Sequence, residues 1–343
     1  MAYISLDSSA YGHNLRYIGS KVGGISKIMA VLKDNAYGHG IEQMGRLASS
    51  FGIKRAVVKN TFEAKIIEPF FEKILILIEA NPSKAIKNDK FIYTCDDICS
   101  IKDFPRNTNI HLKVDTGMRR NGVLPEQLDE VFSLLKKNNL DLEGVFTHFY
   151  GADIVGSEFY VQNECYKKVK LACKNLAKKY NFPPLHFHSC NSSASLRLQE
   201  SLDDDFVRIG IASYGYTDLH ESFGKFDLKP VLALWGEKIC SRELKKDDTL
   251  GYGGAFLADR DMVVSSYDLG YGDGLFRQNG IQNPHVKNGK RFLGRMSMDC
   301  FSLEGIDEKV CVFDDVREFA KRFNTITYEI LTQLSPFIPR VIK

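Results

Sequence analysis

Through the first two-thirds of the chain, short β-branched and aliphatic runs alternate with longer segments whose apolar residues recur at helical spacing. The runs are KIMAVLK at 27–33, KRAVV at 54–58, KILILI at 73–78, FIYTC at 91–95, IHLKVD at 110–115, LEGVFTHF at 142–149, PLHFHSC at 184–190 and FVRIGIAS at 206–213. Between them lie IEQMGRLASS, EQLDEVFSLLKK and EFYVQNECYKKVKLACKNLAKKY, which read as helices. Eight strand–helix units predict an α/β fold, a (β/α)8 TIM-type barrel over residues 1–225. From Lys229 onward the pattern changes to strands and turns punctuated by Gly and Asp, which predicts a mostly β C-terminal domain over 226–343. The first few residues of the chain are free to pack with that second domain.

Composition narrows the function classes. A net charge of +3 arises from 46 basic and 43 acidic residues spread along the chain, so no nucleic-acid footprint is expected. The first twenty residues hold no continuous apolar core, and the apolar runs are strand-sized; a cytoplasmic protein without membrane contact is expected. Eight scattered cysteines with no CxxC pair read mostly as reduced core residues rather than a metal centre.

Barrels of this type carry their chemistry where strands end, and unusual polar residues gather at those ends. Lys33 closes the first run, Arg120 follows the fifth, His148 ends the sixth, Asn191 and Ser192 follow the seventh, and Arg208 lies in the eighth. An ammonium at the end of an apolar strand is costly unless it is paired or chemically used, or simply emerges into solvent. A buried Arg208 admits a second reading as a structural ion pair with one of Asp203 to Asp205.

The eleven residues AVLKDNAYGHG around Lys33 closely resemble the pyridoxal-phosphate lysine signature of the alanine racemase family. The resemblance continues in order through HLKVDTGMRRNG, FTHFYGAD, HSCNSSASL, VRIGIASYG, TLGYGGAF, LGYGDG and GRMSMD. It implies pyridoxal 5'-phosphate bound covalently to Lys33, which acts as base on one face, with Tyr252 of a partner subunit as base on the other. A homodimer with composite sites, and D-alanine supply for peptidoglycan, are implied with it.

The same resemblance assigns the cofactor phosphate to Tyr37, Ser192 and the backbone around Gly210 and Ile211, with Asn191 beside it. Phosphate binding after strands seven and eight has independent support in barrel architecture. Arg208 would hydrogen-bond the pyridine nitrogen, and His148 would pack beside the ring and hold Arg208. Arg120 would meet the substrate carboxylate, the Met298 backbone of the partner would help seat it, and Tyr271 and Asp299 would line the entrance. Lys113 matches a position that the family often carbamylates.

Two positions depart from the family pattern: Ser297 stands where many relatives have cysteine, and Pro336 where well-known relatives place a phosphate-binding tyrosine. The connections around the third and fourth runs are thin, which predicts trimmed barrel helices. A non-catalytic pyridoxal-phosphate protein of the single-barrel kind would lack Tyr252 and Met298. The His186-x-His188 pair with Lys113 admits a metal hydrolase, but the order of these residues reverses that of the metal-dependent hydrolase barrels. A racemase for serine or for a wider range of amino acids stays open, because pocket size near Tyr252 and Tyr271 decides it.

Overall fold

The structure, a computed structural model, describes residues 1–198, 203–277 and 283–343. The chain opens with β1 (Tyr3–Leu6) and α1 (Ser8–Val22). Eight parallel strands then follow: β2 (Ile28–Val31), β3 (Arg55–Val58), β4 (Lys73–Ile76), β5 (Phe91–Cys95), β6 (Asn109–Lys113), β7 (Asp141–Phe146), β8 (His186–His188) and β9 (Val207–Ile209). Every one coincides with a run read from the sequence. They form one sheet in the order β8-β7-β6-β5-β4-β3-β2-β9. A parallel bridge from His188 to Phe206 and the hydrogen bond from Arg208 N to Cys190 O (2.9 Å) join its two ends, closing the barrel.

Nearly every residue of these strands is buried. A parallel sheet wrapped by helices is covered on both faces, so its strands read as continuous apolar runs. Helices α2 (Ile41–Ser50), α3 (Thr61–Ile67), α4 (Leu128–Lys137), α5 (Glu158–Lys179) and α6 (Ser192–Arg197) lie between strands. After β4 and β5 the chain forms only the short 3-10 turns Pro82–Lys84 and Ile98–Asp103, the trimmed connections expected there. Strand β9 is likewise followed by 3-10 turns, and α1 is tied to that segment: buried Asn14 donates to Ser213 O (3.0 Å) and Lys229 O (2.8 Å) and accepts from Lys229 N (2.8 Å).

The described residues divide into two units, one of Gly12–Ala36 and Met44–Lys229, the other of Met1–Tyr11, Tyr37–Gln43 and Pro230–Lys343. The first is the barrel. The second is mostly β: a long β10 (Leu232–Leu244) pairs antiparallel with β1, with β13 (Met262–Tyr267) and with β15 (Lys309–Phe313). It also holds the short pair β11 (Thr249–Leu250) and β12 (Phe256–Leu257), then β14 (Phe301–Glu304), α7 (Arg317–Arg322), α8 (Thr327–Thr332) and β16 (Arg340–Ile342). The chain's first strand therefore belongs to its last sheet, since β1 lies between β10 and β16. Among the described residues no helix is long and apolar enough to cross a membrane.

Candidate active site

The barrel's strand ends bring together Lys33, Lys113, Arg120, His148, Asn191, Ser192, Arg208, Gly210 and Ile211. Arg208 is buried at the centre of this group. Its two terminal nitrogens donate to Thr147 O (2.8 Å), Ser189 O (3.0 Å), His188 O (3.1 Å) and His188 Nδ1 (2.7 Å), with His148 Nδ1 at 3.4 Å. The guanidinium also lies over the Phe146 ring, 5.1 Å from its centroid. No carboxylate among the described residues binds it, so the ion pair with Asp203 to Asp205 does not form. Asp204 accepts instead from Ser189 N (2.7 Å) and pairs with Lys170 (3.0 Å), and Asp205 accepts from Phe187 N (2.7 Å). Nε of Arg208 makes none of these bonds and is the donor left for a ligand.

Behind Arg208 stand two buried imidazoles, His188 and then His111, and the second of them sequence reasoning missed. His188 Nε2 lies 2.9 Å from His111 Nδ1. An arginine can only donate, so His188 Nδ1 accepts, Nε2 carries the proton, and His111 Nδ1 accepts in turn. Burial, above the nearby positive charges, pushes His111 down to about 3 and His188 well below its usual range; both rings stay neutral. His188 is thereby committed to Arg208, while its sequence partner His186 is exposed beside Phe206. A two-histidine metal grip is not what the strand builds. His148 is also held neutral, its pKa pushed down to about 3 by burial first and then by Arg208, Arg120, Lys113 and Lys33.

Lys113 ends β6 and donates to Asn121, whose amide donates to Asp96. Burial foremost, and then Arg120, lower the Lys113 amine to about 8 against the opposing charge of Asp96. Arg120 itself is exposed on the loop beyond. Asn191 caps α6 by accepting from Ala194 N (2.9 Å). Ser192 Oγ, buried, accepts from the N–H groups of Gly210 (3.1 Å) and Ala212 (3.3 Å), and Ile211 opens the 3-10 turn Ile211–Tyr214. Two main-chain donors after β9 thus converge on one hydroxyl after β8, an arrangement suited to an anion.

Lys33 follows β2 and keeps 39% of its side chain exposed; the nearest carboxylate, Asp34, is 3.9 Å away. The next four residues, Asp34, Asn35, Ala36 and Tyr37, all have φ between 52° and 54°. Left-handed backbone costs about 1–2 kcal/mol per L-residue, less for Asp and Asn. The run is therefore held by its surroundings: Ala36 N bonds Leu32 O (2.8 Å), Asn35 N bonds the buried Glu63 carboxylate (3.1 Å), and Lys59 pairs with Asp34 (2.9 Å). Nothing in the apolar pattern announces this turn or Glu63.

In the β unit, Tyr37 packs its ring at 5.8 Å from Tyr328. Tyr252 is 61% exposed on a turn whose three glycines, Gly251, Gly253 and Gly254, have positive φ. Its loop lies against the 294–299 segment: a Cβ on Gly294 would fall 2.9 Å from Leu250 O. Tyr271 joins the same cluster, with Tyr271 N bonding Ser297 O (3.2 Å) and Gly272 N bonding Met298 O (2.9 Å). A Cβ on Gly270 would sit 2.1 Å from Met298 O, so glycine is required for that approach. Met298 and Asp299 are exposed. Ser297 Oγ accepts from Cys300 N and donates to Cys300 O (both 2.9 Å), closing the turn with a hydroxyl. Pro336 supplies only a carbonyl, to Arg340 (2.9 Å).

Residues 6–218 match the model of the alanine racemase N-terminal domain and residues 231–342 that of its C-terminal domain. The chain is 46% identical over 340 residues to an alanine racemase of a Nitratiruptor species, covering 99% of each. It is 44% identical over 342 residues to one of Campylobacter jejuni subsp. jejuni serotype O:2, covering 100% of each. Among solved structures, the alanine racemase of Clostridium difficile 630 superposes with a TM-score of 0.88 at 25% identity, over 100% of this chain and 95% of that one. That of Bacillus anthracis with bound L-Ala-P gives 0.85 at 28%, over 100% and 95%. A histidine racemase of Leuconostoc mesenteroides shares the fold as well, with a TM-score of 0.86 at 23% identity over 100% of this chain and 98% of that one. Matched over nearly its full length by both domain models and by close relatives, the chain belongs to the alanine racemase family.

Proposed function

We propose that this protein interconverts L- and D-alanine with pyridoxal 5'-phosphate, using Lys33 and Tyr252 as opposed bases. The observation that carries the reading is the set of donors at the barrel's strand ends. Arg208 has one uncommitted nitrogen, Nε, and Ser192 Oγ, which accepts from the N–H groups of Gly210 and Ala212, keeps its own hydrogen to donate. A phosphorylated pyridine needs a donor for its ring nitrogen and a cradle of donors for its phosphate; these residues fit both. Lys33 would bear the group, Ser192, Gly210, Ile211 and Tyr37 would hold its phosphate, with Asn191 beside them, and His148 would pack at its face. When bound, the group supplies an electron-accepting ring that lets the substrate α-carbon lose its proton.

Racemisation requires a proton removed on one face and returned on the other, so two acid–base groups must oppose each other. On one face, Lys33 Nζ takes or gives the α-proton; on the other, Tyr252 Oη does the reverse. Each turnover leaves the two groups with their protons exchanged, ready for the opposite direction. Exposure of Tyr252 (61%), Met298 (54%) and Tyr271 (37%) in the single chain supports their donation to a second copy, giving a homodimer with composite sites. Arg120 would clamp the substrate carboxylate, the Met298 backbone would seat it, and Asp299 and Tyr271 would line the entrance. Because the Lys113 amine is lowered to about 8, part of it is unprotonated near neutral pH and open to carbamylation, which would give Arg120 an anionic partner.

D-alanine for peptidoglycan is the physiological role this reading favours. Racemisation of L-alanine and L-serine by the purified protein with added pyridoxal phosphate, followed by chiral chromatography, tests it. Fast turnover of alanine, abolished in Lys33→Ala and reduced at least about 100-fold in Tyr252→Phe, is expected. A faster turnover of serine, or none of either despite visible cofactor absorbance, overturns it.

A further inference from the structure

We propose that Glu63 is a positioning residue for Lys33: its carboxylate holds the left-handed turn that follows the lysine, and so fixes the line along which the amine is presented. This rests on reading Lys33 as the cofactor-bearing residue.

Residues 34–37 sit in a conformation that Ala36 and Tyr37 adopt only under constraint. The turn keeps one bond of its own, from Ala36 N to Leu32 O (2.8 Å), and the N–H groups at its start must find acceptors outside it. Asn35 N–H finds Oε1 of Glu63 at 3.1 Å, and the second oxygen accepts from Lys59 N at 2.8 Å. Glu63 stands in the first turn of α3, its own N–H held by the Asn60 cap at 3.0 Å. One carboxylate thus ties the backbone leaving β2 to the backbone leaving β3, two adjacent strands of the barrel. It is 8% exposed and makes no ion pair among the described residues.

The pattern of donors explains why a charged residue stands there. Both partners of Glu63 are N–H groups, so a two-oxygen acceptor satisfies both. Glutamine would satisfy one and oppose its own NH2 to the other. A second contact works in the same direction: Lys59 engages Asp34 at 2.9 Å, leaving Lys33 Nζ 3.9 Å from that carboxylate, beyond hydrogen-bond length. The turn is thereby pinned at its first two residues, and the lysine amine is left uncommitted.

The test compares Glu63→Gln and Glu63→Gln/Ala36→Gly holoenzymes with the native one and with Lys33→Ala. Three quantities are read: kcat and KM for alanine, the pH profile of the visible absorbance of the lysine–cofactor linkage, and the rate at which hydroxylamine strips the cofactor. Glu63→Gln is expected to lower kcat about tenfold or more with KM within about twofold, to shift the absorbance profile, and to speed stripping at least about threefold. Adding Ala36→Gly removes the penalty on positive φ and is expected to restore a good part of each loss. A purely structural role would lower the yield of folded enzyme without moving the absorbance profile. Glu63→Asp, which keeps the charge but draws it back by one methylene, carries the same readouts if the glutamine variant does not fold. Native values of all three quantities in a folded variant overturn the inference. If Lys33→Ala keeps both absorbance and activity, the reading of Lys33 itself falls; if it loses both while the Glu63 variants stay native, only the role of Glu63 falls.

Discussion

Replacing Lys113 by methionine should stabilise the folded chain at neutral pH and lose that advantage as the pH rises. In the folded state burial, reinforced by Arg120, lowers the amine from 10.5 to about 8. The sign follows from proton counts. Between pH 8 and 10.5 the unfolded chain keeps the Lys113 proton and the folded chain has released it, so native stability rises with pH across that window. Below it, both states are charged and the whole burial cost, about 3.5 kcal/mol at most, is present. The difference between native and Lys113→Met proteins should therefore change by about 2 kcal/mol from about pH 7 to about pH 9.5. The lost bond to Asn121 adds a constant offset and leaves that slope untouched. Urea unfolding of both proteins in bicarbonate-free buffer measures it. A difference that stays flat, or that grows with pH in favour of methionine, would refute the argument that burial governs this amine.

Other perturbations have equally direct readouts. Gly38→Ala would place a Cβ 1.9 Å from Leu331 O on a backbone with φ of 78°, so a loss of about 3 kcal/mol or more in the β unit is expected by calorimetry. Asp204→Asn keeps the shape but removes the charge that Lys170 and Ser189 share; a loss of about 2–4 kcal/mol is expected by denaturant titration, and a loss below about 0.5 would contradict it. His111 and His148 are neutral when folded and gain protons when unfolded, so they erode stability as the pH falls from about 6.5 toward 3. His148→Phe should flatten that acid slope in pH-dependent melting curves.

What the sequence made legible is what burial imposes. The eight barrel strands stood out because both faces of a parallel sheet are apolar, and the glycine-punctuated loops of the β unit stood out because close approach forbids a Cβ, as at Gly270 against Met298 O. What stayed hidden depends on direction and conformation. The left-handed run had no signal, since Ala36 has no propensity for positive φ and only the assembled loops hold it there. Glu63 drew no reading at all, since nothing in the pattern around it marks a buried acceptor. His111 read as a strand residue, because its role exists only through His188 on a strand two places along the sheet. The expected ion pair of Arg208 failed for a related reason. Asp204 lies close in sequence, but its carboxylate is spent on Ser189 and Lys170, and Ser189 in turn offers Arg208 a carbonyl.

That difference decides what Arg208 can present to a ligand. An arginine paired with aspartate would offer a donor whose charge is already balanced a few ångströms away. Here the terminal nitrogens rest on three carbonyl oxygens and two neutral imidazoles, so the charge is solvated by dipoles and left uncancelled. Because Arg208 can only donate, it orients every proton behind it, on His188 Nε2 and then on His111, with the acceptor end of the chain facing the guanidinium. His188→Glu reverses this arrangement by placing an anion against the same nitrogens. Arg208 would then be neutralised as a pair, and its Nε would become a weaker donor. If Nε holds the ring of pyridoxal phosphate, the variant should bind the cofactor about tenfold or more less tightly and shift its visible absorbance, while His188→Gln, which keeps a neutral acceptor, should stay closer to native. Equal binding by the glutamate and native proteins, measured by cofactor titration at fixed pH, would mean that the net charge of Arg208 does not matter to the site.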